Sequence, residues 1–200
     1  MGRRAWNRNI HYHGIVLDAI PAGCRRALDA GCGRGFLARE LAQRCGEVVA
    51  IDLDRAALAR ARAVTDPGAR ITFVQGDVMT EPFEDGSFDA VAAVAMLHHV
   101  PLEPALARFR DLLRPGGVLA IVGLYPLRTP VDYALASVAL PVGLMLRVVH
   151  GCTAVGAPIT EPRETLQEIR AVCAARLPGA AVRRHLLFRY SIVWRKPVGE

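Results

Sequence analysis

Short apolar runs alternate with stretches of helical period along the chain, and that alternation sets the architecture. Residues 27–31, 47–53, 70–77, 87–97 and 117–124 are apolar runs of strand length, bounded by turn-forming residues. "GFLARELAQRC" (35–45) places Leu37, Ala38 and Leu41 on one side of a helix. "DRAALARARAV" (54–64) predicts a second helix, with Asp54 positioned to cap it. "LEPALARFRDLL" (102–113) predicts an amphipathic third, stopped by Pro115-Gly116-Gly117. Five strands alternating with helices imply a mostly parallel sheet covered on both faces through right-handed crossovers. The tail departs from this rhythm. A helix over 164–177 ends before Pro178-Gly179, and strands over 180–188 and 190–197 follow so closely that they must form an antiparallel hairpin. The predicted fold is α/β: seven strands, mostly parallel, with a C-terminal antiparallel hairpin and helices on both faces.

No repeat, linker or low-complexity tract interrupts the chain, so residues 1–200 form a single domain. One segment, 125–160, exceeds what such a sheet needs and is predicted to be an inserted, apolar, lid-like element. Tyr133 to Leu146 carry no charge, a run too short to cross a bilayer, and Pro141 is expected to divide the segment into two short helices. An insertion after the fifth strand lies above the carboxyl ends of the sheet. Tyr133, Leu144, Met145 and Leu146 are therefore candidate lining residues for an apolar pocket. The alternatives for 131–149 are a cover for the sheet and a homodimer face.

Composition narrows the class. With 52% hydrophobic and 22% charged residues, the chain is globular and not disordered. The net charge of +6 comes almost wholly from arginines spread along the chain, Lys196 being the single lysine. Without a dense basic cluster, no nucleic-acid partner is expected. The five cysteines, Cys24, Cys32, Cys45, Cys152 and Cys173, form no CxxC pair or ligand spacing. They predict no metal, small buried side chains and a reducing, cytoplasmic setting. The start, "MGRRAWNRNIHYH", has no apolar signal-peptide core, and no run of about 18 uncharged apolar residues predicts a membrane span.

Candidate chemistry begins at "LDAGCGRGF" (28–36). Gly31, Gly33 and Gly35 give G-x-G-x-G, whereas the dinucleotide fingerprint needs a glycine where Phe36 stands. Asp29 ends the first strand beside this loop. A pyrophosphate near it would meet a like charge, costing on the order of 4 kcal/mol at 4 Å, whereas an ammonium group would be attracted by a similar amount. Asp52 ends the second strand 21 residues after Gly31, placed to accept both hydroxyls of a ribose. Asp77 ends the third and can accept a hydrogen bond from an amino group such as adenine's. A nucleoside with an amino group and no phosphates, S-adenosylmethionine, meets all three demands. Turn and cap roles for Asp29 and Asp52 are the structural alternatives.

"LDAGCGRG", "VVAIDLD", "ITFVQGDV", "FDAVAAVAMLHHV" and "LLRPGGVLAIVGL" follow one another over about residues 27 to 124. In this order they resemble five successive motifs of the class I S-adenosylmethionine-dependent methyltransferases, in the branch of quinone-biosynthesis and small-molecule enzymes. The resemblance implies a Rossmann-like sheet whose last strand enters antiparallel. It further implies that Asp29, Gly31, Cys32, Gly33 and Gly35 face the methionine moiety, Asp52 the ribose, Leu53 the adenine face, and Asp77 with Val78 the adenine edge.

His98 and His99 follow the fourth strand at the sheet's carboxyl end and are candidate catalytic residues, since histidine accepts protons near neutral pH. Packing and backbone hydrogen bonding are their alternative. His11, Tyr12 and His13 precede an apolar helix that in related enzymes closes over the cofactor. They are candidate cofactor contacts or caps of that helix. The [DN]PPY motif of enzymes that methylate amino groups of nucleic-acid bases is absent, "AMLHHV" standing in its place. The expected function is methyl transfer to a small, largely apolar acceptor. An RNA- or protein-modifying methyltransferase and a non-catalytic S-adenosylmethionine-binding partner subunit are the competing functions.

Overall fold

The structure is a computed structural model, and it describes residues 6–151 and 161–199. Cys152 and the remainder of 152–160, within the predicted insertion, lie outside the described residues, as do 1–5 and Glu200.

Seven strands form one sheet in the order β3-β2-β1-β4-β5-β7-β6. β1 (Arg26–Ala30), β2 (Glu47–Asp52), β3 (Ile71–Gln75), β4 (Phe88–Val94) and β5 (Leu113–Leu124) pair in parallel. β6 (Ala181–His185) and β7 (Arg189–Arg195) form the hairpin, and β7 enters between β5 and β6, antiparallel to both. The strand order reverses between β1 and β4, so the crevice above their carboxyl ends is the place where such sheets receive a ligand.

Burial on both faces explains why the central strands are continuous apolar runs. Leu28, Val91, Leu119 and Ile121 point to one side, against α4 (Leu102–Leu112) and α6 (Leu166–Arg176). Ala27, Val48, Ala50 and Val122 point to the other, towards α1 (His13–Ala19) and α2 (Phe36–Leu41). Each large aliphatic side chain removed from water there contributes roughly 1.5–3 kcal/mol. α3 (Arg55–Ala63) covers the β2–β3 edge, and Asp54 caps it by accepting from the N–H groups of Ala56 and Ala57.

Element bounds depart from the sequence reading for local reasons. α2 stops at Leu41, not at 45, because the following turn tightens: Gln43 and Arg44 donate three residues back. Pro115-Gly116-Gly117 does not precede β5 but lies inside it as an irregularity, where the register jumps from Phe88↔Leu113 to Ala90↔Val118. Gly116 N–H donates to Lys196 O and Lys196 N–H to Gly117 O, which prolongs the pairing beside β7. The hairpin turns earlier than expected, at Leu186-Leu187-Phe188, with Leu187 and Phe188 at φ of 57° and 62°. No glycine announces this turn; the burial of Leu187, 1% exposed, holds it.

The largest departure is the insertion. Pro141 does not break it in two: Pro130–His150 is a single helix, α5, with Pro141 on its exposed side. Thr129 and Asp132 form a capping box at its start. Contrary to the sequence expectation, Pro130–Val149 is long and apolar enough to cross a membrane by length and composition alone. The charge-free run understated it because Asp132, 4% exposed, turns inward and pairs with Arg184 at 3.2 Å.

Gly123 in β5 lies opposite Tyr190 in β7, and a Cβ on Gly123 would run into the Tyr190 ring. Tyr190 is buried and has no room to yield. Gly123→Ala is therefore expected to destabilise the protein by roughly 1–3 kcal/mol or more. Urea denaturation with an unchanged midpoint would contradict this packing.

Candidate active site

A cleft of about 390 Å³ opens at the carboxyl ends of β1, β2, β3 and β4. Asp29, Gly31, Cys32, Gly33, Asp52, Leu53, Asp77, Val78, His13 and His99 all line it. These residues come from five separate stretches of sequence, and all but His13, which opens α1, lie at or just beyond the carboxyl end of a strand.

The glycine loop is shaped by backbone need. Gly31, Gly33 and Gly35 all have positive φ, and a Cβ on Gly31 would strike the Met96 side chain. Gly35 does not line the cleft; it is the left-handed residue that starts α2, packed against Phe73, Arg39 and Ala61. Asp52 braces the loop. Its Oδ2 accepts from Gly33 N–H at 2.7 Å and its Oδ1 from Asp54 N–H at 2.8 Å. The carboxylate thus has a structural duty as well as lone pairs facing the cleft. Asp77 accepts from Met79 N–H at 2.9 Å in a turn of its own. Leu53 is 70% exposed, an apolar side chain held out over the cleft.

Asp29 is 2% exposed, and its Oδ2 has no hydrogen-bond partner. Burial first, and the nearby Asp52 carboxylate second, push its pKa up to about 7; the Ala38 backbone N–H and the Arg39 guanidinium offset only part of this. A buried carboxylate with an unsatisfied oxygen at the mouth of a cleft is costly unless a cation comes to it.

His98 and His99 sit on a short turn after β4, their ring centroids 4.0 Å apart. His99 is exposed and lines the cleft, whereas His98 lies behind it with a buried Nδ1 that has no partner. Burial, then His99 and Arg189, lower the His98 pKa to about 4. His98 is therefore neutral at neutral pH.

The N-terminal wall is built differently from the sequence reading. His13 reaches the cleft and donates from Nδ1 to Glu40 Oε2 at 2.7 Å, tying α1 to α2. His11 and Tyr12 do not line it; Tyr12 donates to Leu186 O at 2.5 Å and so fastens the wall to the hairpin. Asn7, Asn9 and Ile10 line the cleft instead. Asn7 Oδ1 accepts from the N–H groups of Asn9 and Ile10. The Asn7–Asn9 spacing is a turn signal and could have flagged this stretch. Phe36, Val94, Ala95, Met96 and Val100 also contribute. Ala95 is a non-glycine residue at φ of 54°, for which the sequence carries no sign.

Tyr133, Leu144, Met145 and Leu146 are not brought into the cleft. Leu146 packs on the core beneath α5; the other three are exposed on its outer side.

The donor set fits S-adenosylmethionine on its own terms. Asp29 offers an unpartnered carboxylate to an ammonium group, Asp52 and Asp77 offer acceptors to hydroxyl and amino groups, and Leu53 offers an apolar face. No group of three or more metal-ligating side chains occurs among the described residues.

Residues 28–121 match the methyltransferase domain family. The chain is 40% identical over 197 residues to an uncharacterised methyltransferase of Mycobacterium tuberculosis, covering 96% of this chain and 98% of that one. It is 41% identical over 125 residues to the ubiquinone biosynthesis O-methyltransferase of Xanthomonas axonopodis, covering 59% of this chain and 49% of that protein. Among solved structures, an S-adenosylmethionine-dependent methyltransferase from Listeria monocytogenes superposes with a TM-score of 0.67 at 15% identity, over 95% of this chain and 99% of the other.

Proposed function

The chain belongs to the class I S-adenosylmethionine-dependent methyltransferases, and on that premise we propose that it methylates a small, largely apolar acceptor. S-adenosylmethionine supplies, when bound, a sulfonium methyl activated for displacement. The protein's own task is to position and to move a proton. The observation that carries the cofactor site is the buried Asp29 carboxylate with its unpartnered oxygen at the cleft. Asp29 holds the ammonium group, Asp52 the ribose, and Asp77 the adenine amino group.

His99 is the proposed base, because it is the histidine that faces the cleft. His98 stays neutral behind it, does not compete for the proton, and acts as a positioning residue. The apolar acceptor is supported by Ile10, Met96 and Val100, which line the same cleft as His99. The same proposal includes a cytoplasmic setting, supported by Cys24, Cys32, Cys45 and Cys173, all free and buried.

Transfer of isotopically labelled methyl groups to a panel of phenols, quinols, fatty acids, RNA and protein tests this reading. The label is expected in organic-extractable product. Label found in RNA or protein would overturn the acceptor class, and the absence of label from every acceptor would favour a partner-subunit role.

A further inference from the structure

α5 is built inside out. It lays small or neutralised side chains on the body of the protein: Asp132, Ala136, Ala139 and Gly143, at helical spacing. Large apolar side chains point away. Val131, Val138, Leu140, Leu144, Met145 and Val148 are between 55% and 74% exposed. At about 100° per residue the exposed positions wrap more than half of the helix. Arg147 is the one charged side chain among the exposed residues of 131–149. Soluble proteins seldom leave a continuous apolar surface of this extent in water.

We propose that α5 docks the enzyme on an anionic lipid bilayer, lying in the plane of the interface with its outer side among the acyl chains. Four observations favour a lipid phase over a protein partner. Pro130–Val149 has a mean hydropathy of 1.5 with 22% of it buried, so its outer side has the composition of a lipid-facing surface. The apolar arc is wider than a flat protein surface covers, whereas acyl chains conform to it. Exposed Arg128, just before the helix, and Arg147, in its last turn, stand at the two ends where headgroups would lie, and the whole chain carries +6. The helix is also fastened to the soluble domain. Asp132 pairs with Arg184, and Gly143 packs so closely on Leu187 of the hairpin turn that a Cβ there would lie 3.1 Å from the leucine. A helix held in this way lies on a membrane and does not cross it. Leu186, 44% exposed, is a further apolar side chain at the same hairpin turn. This surface lies outside the cleft and does not depend on the acceptor proposed above.

The test uses the full chain and unilamellar vesicles of phosphatidylcholine, with and without phosphatidylglycerol, in a co-sedimentation assay. The protein is expected to pellet with the phosphatidylglycerol vesicles, more at low salt than at high. The combined variant Val138→Asp, Leu140→Asp, Val148→Asp should lower the bound fraction about tenfold or more. Its titration with S-adenosylmethionine should match wild type, because none of the three residues lines the cleft; this shows that the variant is folded. Wild-type protein that stays in solution with both vesicle types overturns the proposal. If it is then a dimer by light scattering and the variant a monomer, a second copy covers α5. If both are monomers, the outer side has no partner of either kind. A failure of cofactor binding, by contrast, would count against the active-site assignment and leave the lipid result standing.

Discussion

Asp29→Asn is expected to weaken S-adenosylmethionine binding by about ten- to a hundred-fold, the worth of a charge-assisted hydrogen bond of roughly 1.5–3 kcal/mol. Asn keeps the shape of the side chain and removes its charge, so the loss reports attraction to the ammonium group and not a collapsed strand. The same residue predicts a pH dependence. Asp29 holds a proton up to about pH 7 in the unliganded protein. The cationic ligand prefers the carboxylate, so affinity should rise as pH is raised towards 7 and level off above it. The sign for stability is opposite. The folded pKa lies above that of an unfolded aspartate, about 3.9, so ionised Asp29 opposes folding. The unliganded protein should lose the contribution of this group as pH rises through 7, and Asp29→Asn should remove that slope. Calorimetric titrations of wild type and variant across pH 5.5–8.5 check the affinity, and urea unfolding over the same range checks the stability; equal affinities throughout would contradict the role of Asp29.

His99→Asn is expected to lower kcat by about a hundred-fold or more while leaving the affinity for S-adenosylmethionine within about twofold. His98→Asn is expected to act through His99, and so to lower kcat by a smaller factor and shift the acid limb of the pH–rate profile. The basis is the asymmetry of the pair: one ring faces the cleft, and the other is half-buried, with its Nδ1 out of solvent and its pKa lowered to about 4. Full turnover in both variants would show that the pair is structural and that positioning alone carries the reaction.

The strands, and the gathering of the candidate site residues in one cleft, were legible in the sequence because burial on both faces writes each central strand as an apolar run. The carboxylates Asp29, Asp52 and Asp77 follow those runs directly. What the sequence concealed depends on residues far apart in the chain. The length of α5 turns on Asp132, which reads as a charge ending an apolar run and is in fact neutralised by Arg184 from β6. The hairpin turn at Leu187 and Phe188 has no glycine, and burial of Leu187 against Gly143 holds it. Tyr12 and His13 are adjacent in sequence but serve different ends, the first reaching Leu186 of the hairpin and the second Glu40 of α2. The wall of Asn7, Asn9 and Ile10 runs into a single turn of 3-10 helix, too short to show a period.

The most direct test of the Asp29 assignment is the heat of S-adenosylmethionine binding at pH 7 in two buffers of different ionisation enthalpy. With Asp29 titrating near 7 in the free protein and ionised beside the ammonium group in the complex, binding should release protons, so the two buffers should give different heats. Asp29→Asn should abolish that difference. Buffer-independent heats in the wild type, or a proton release that survives in Asp29→Asn, would contradict the account.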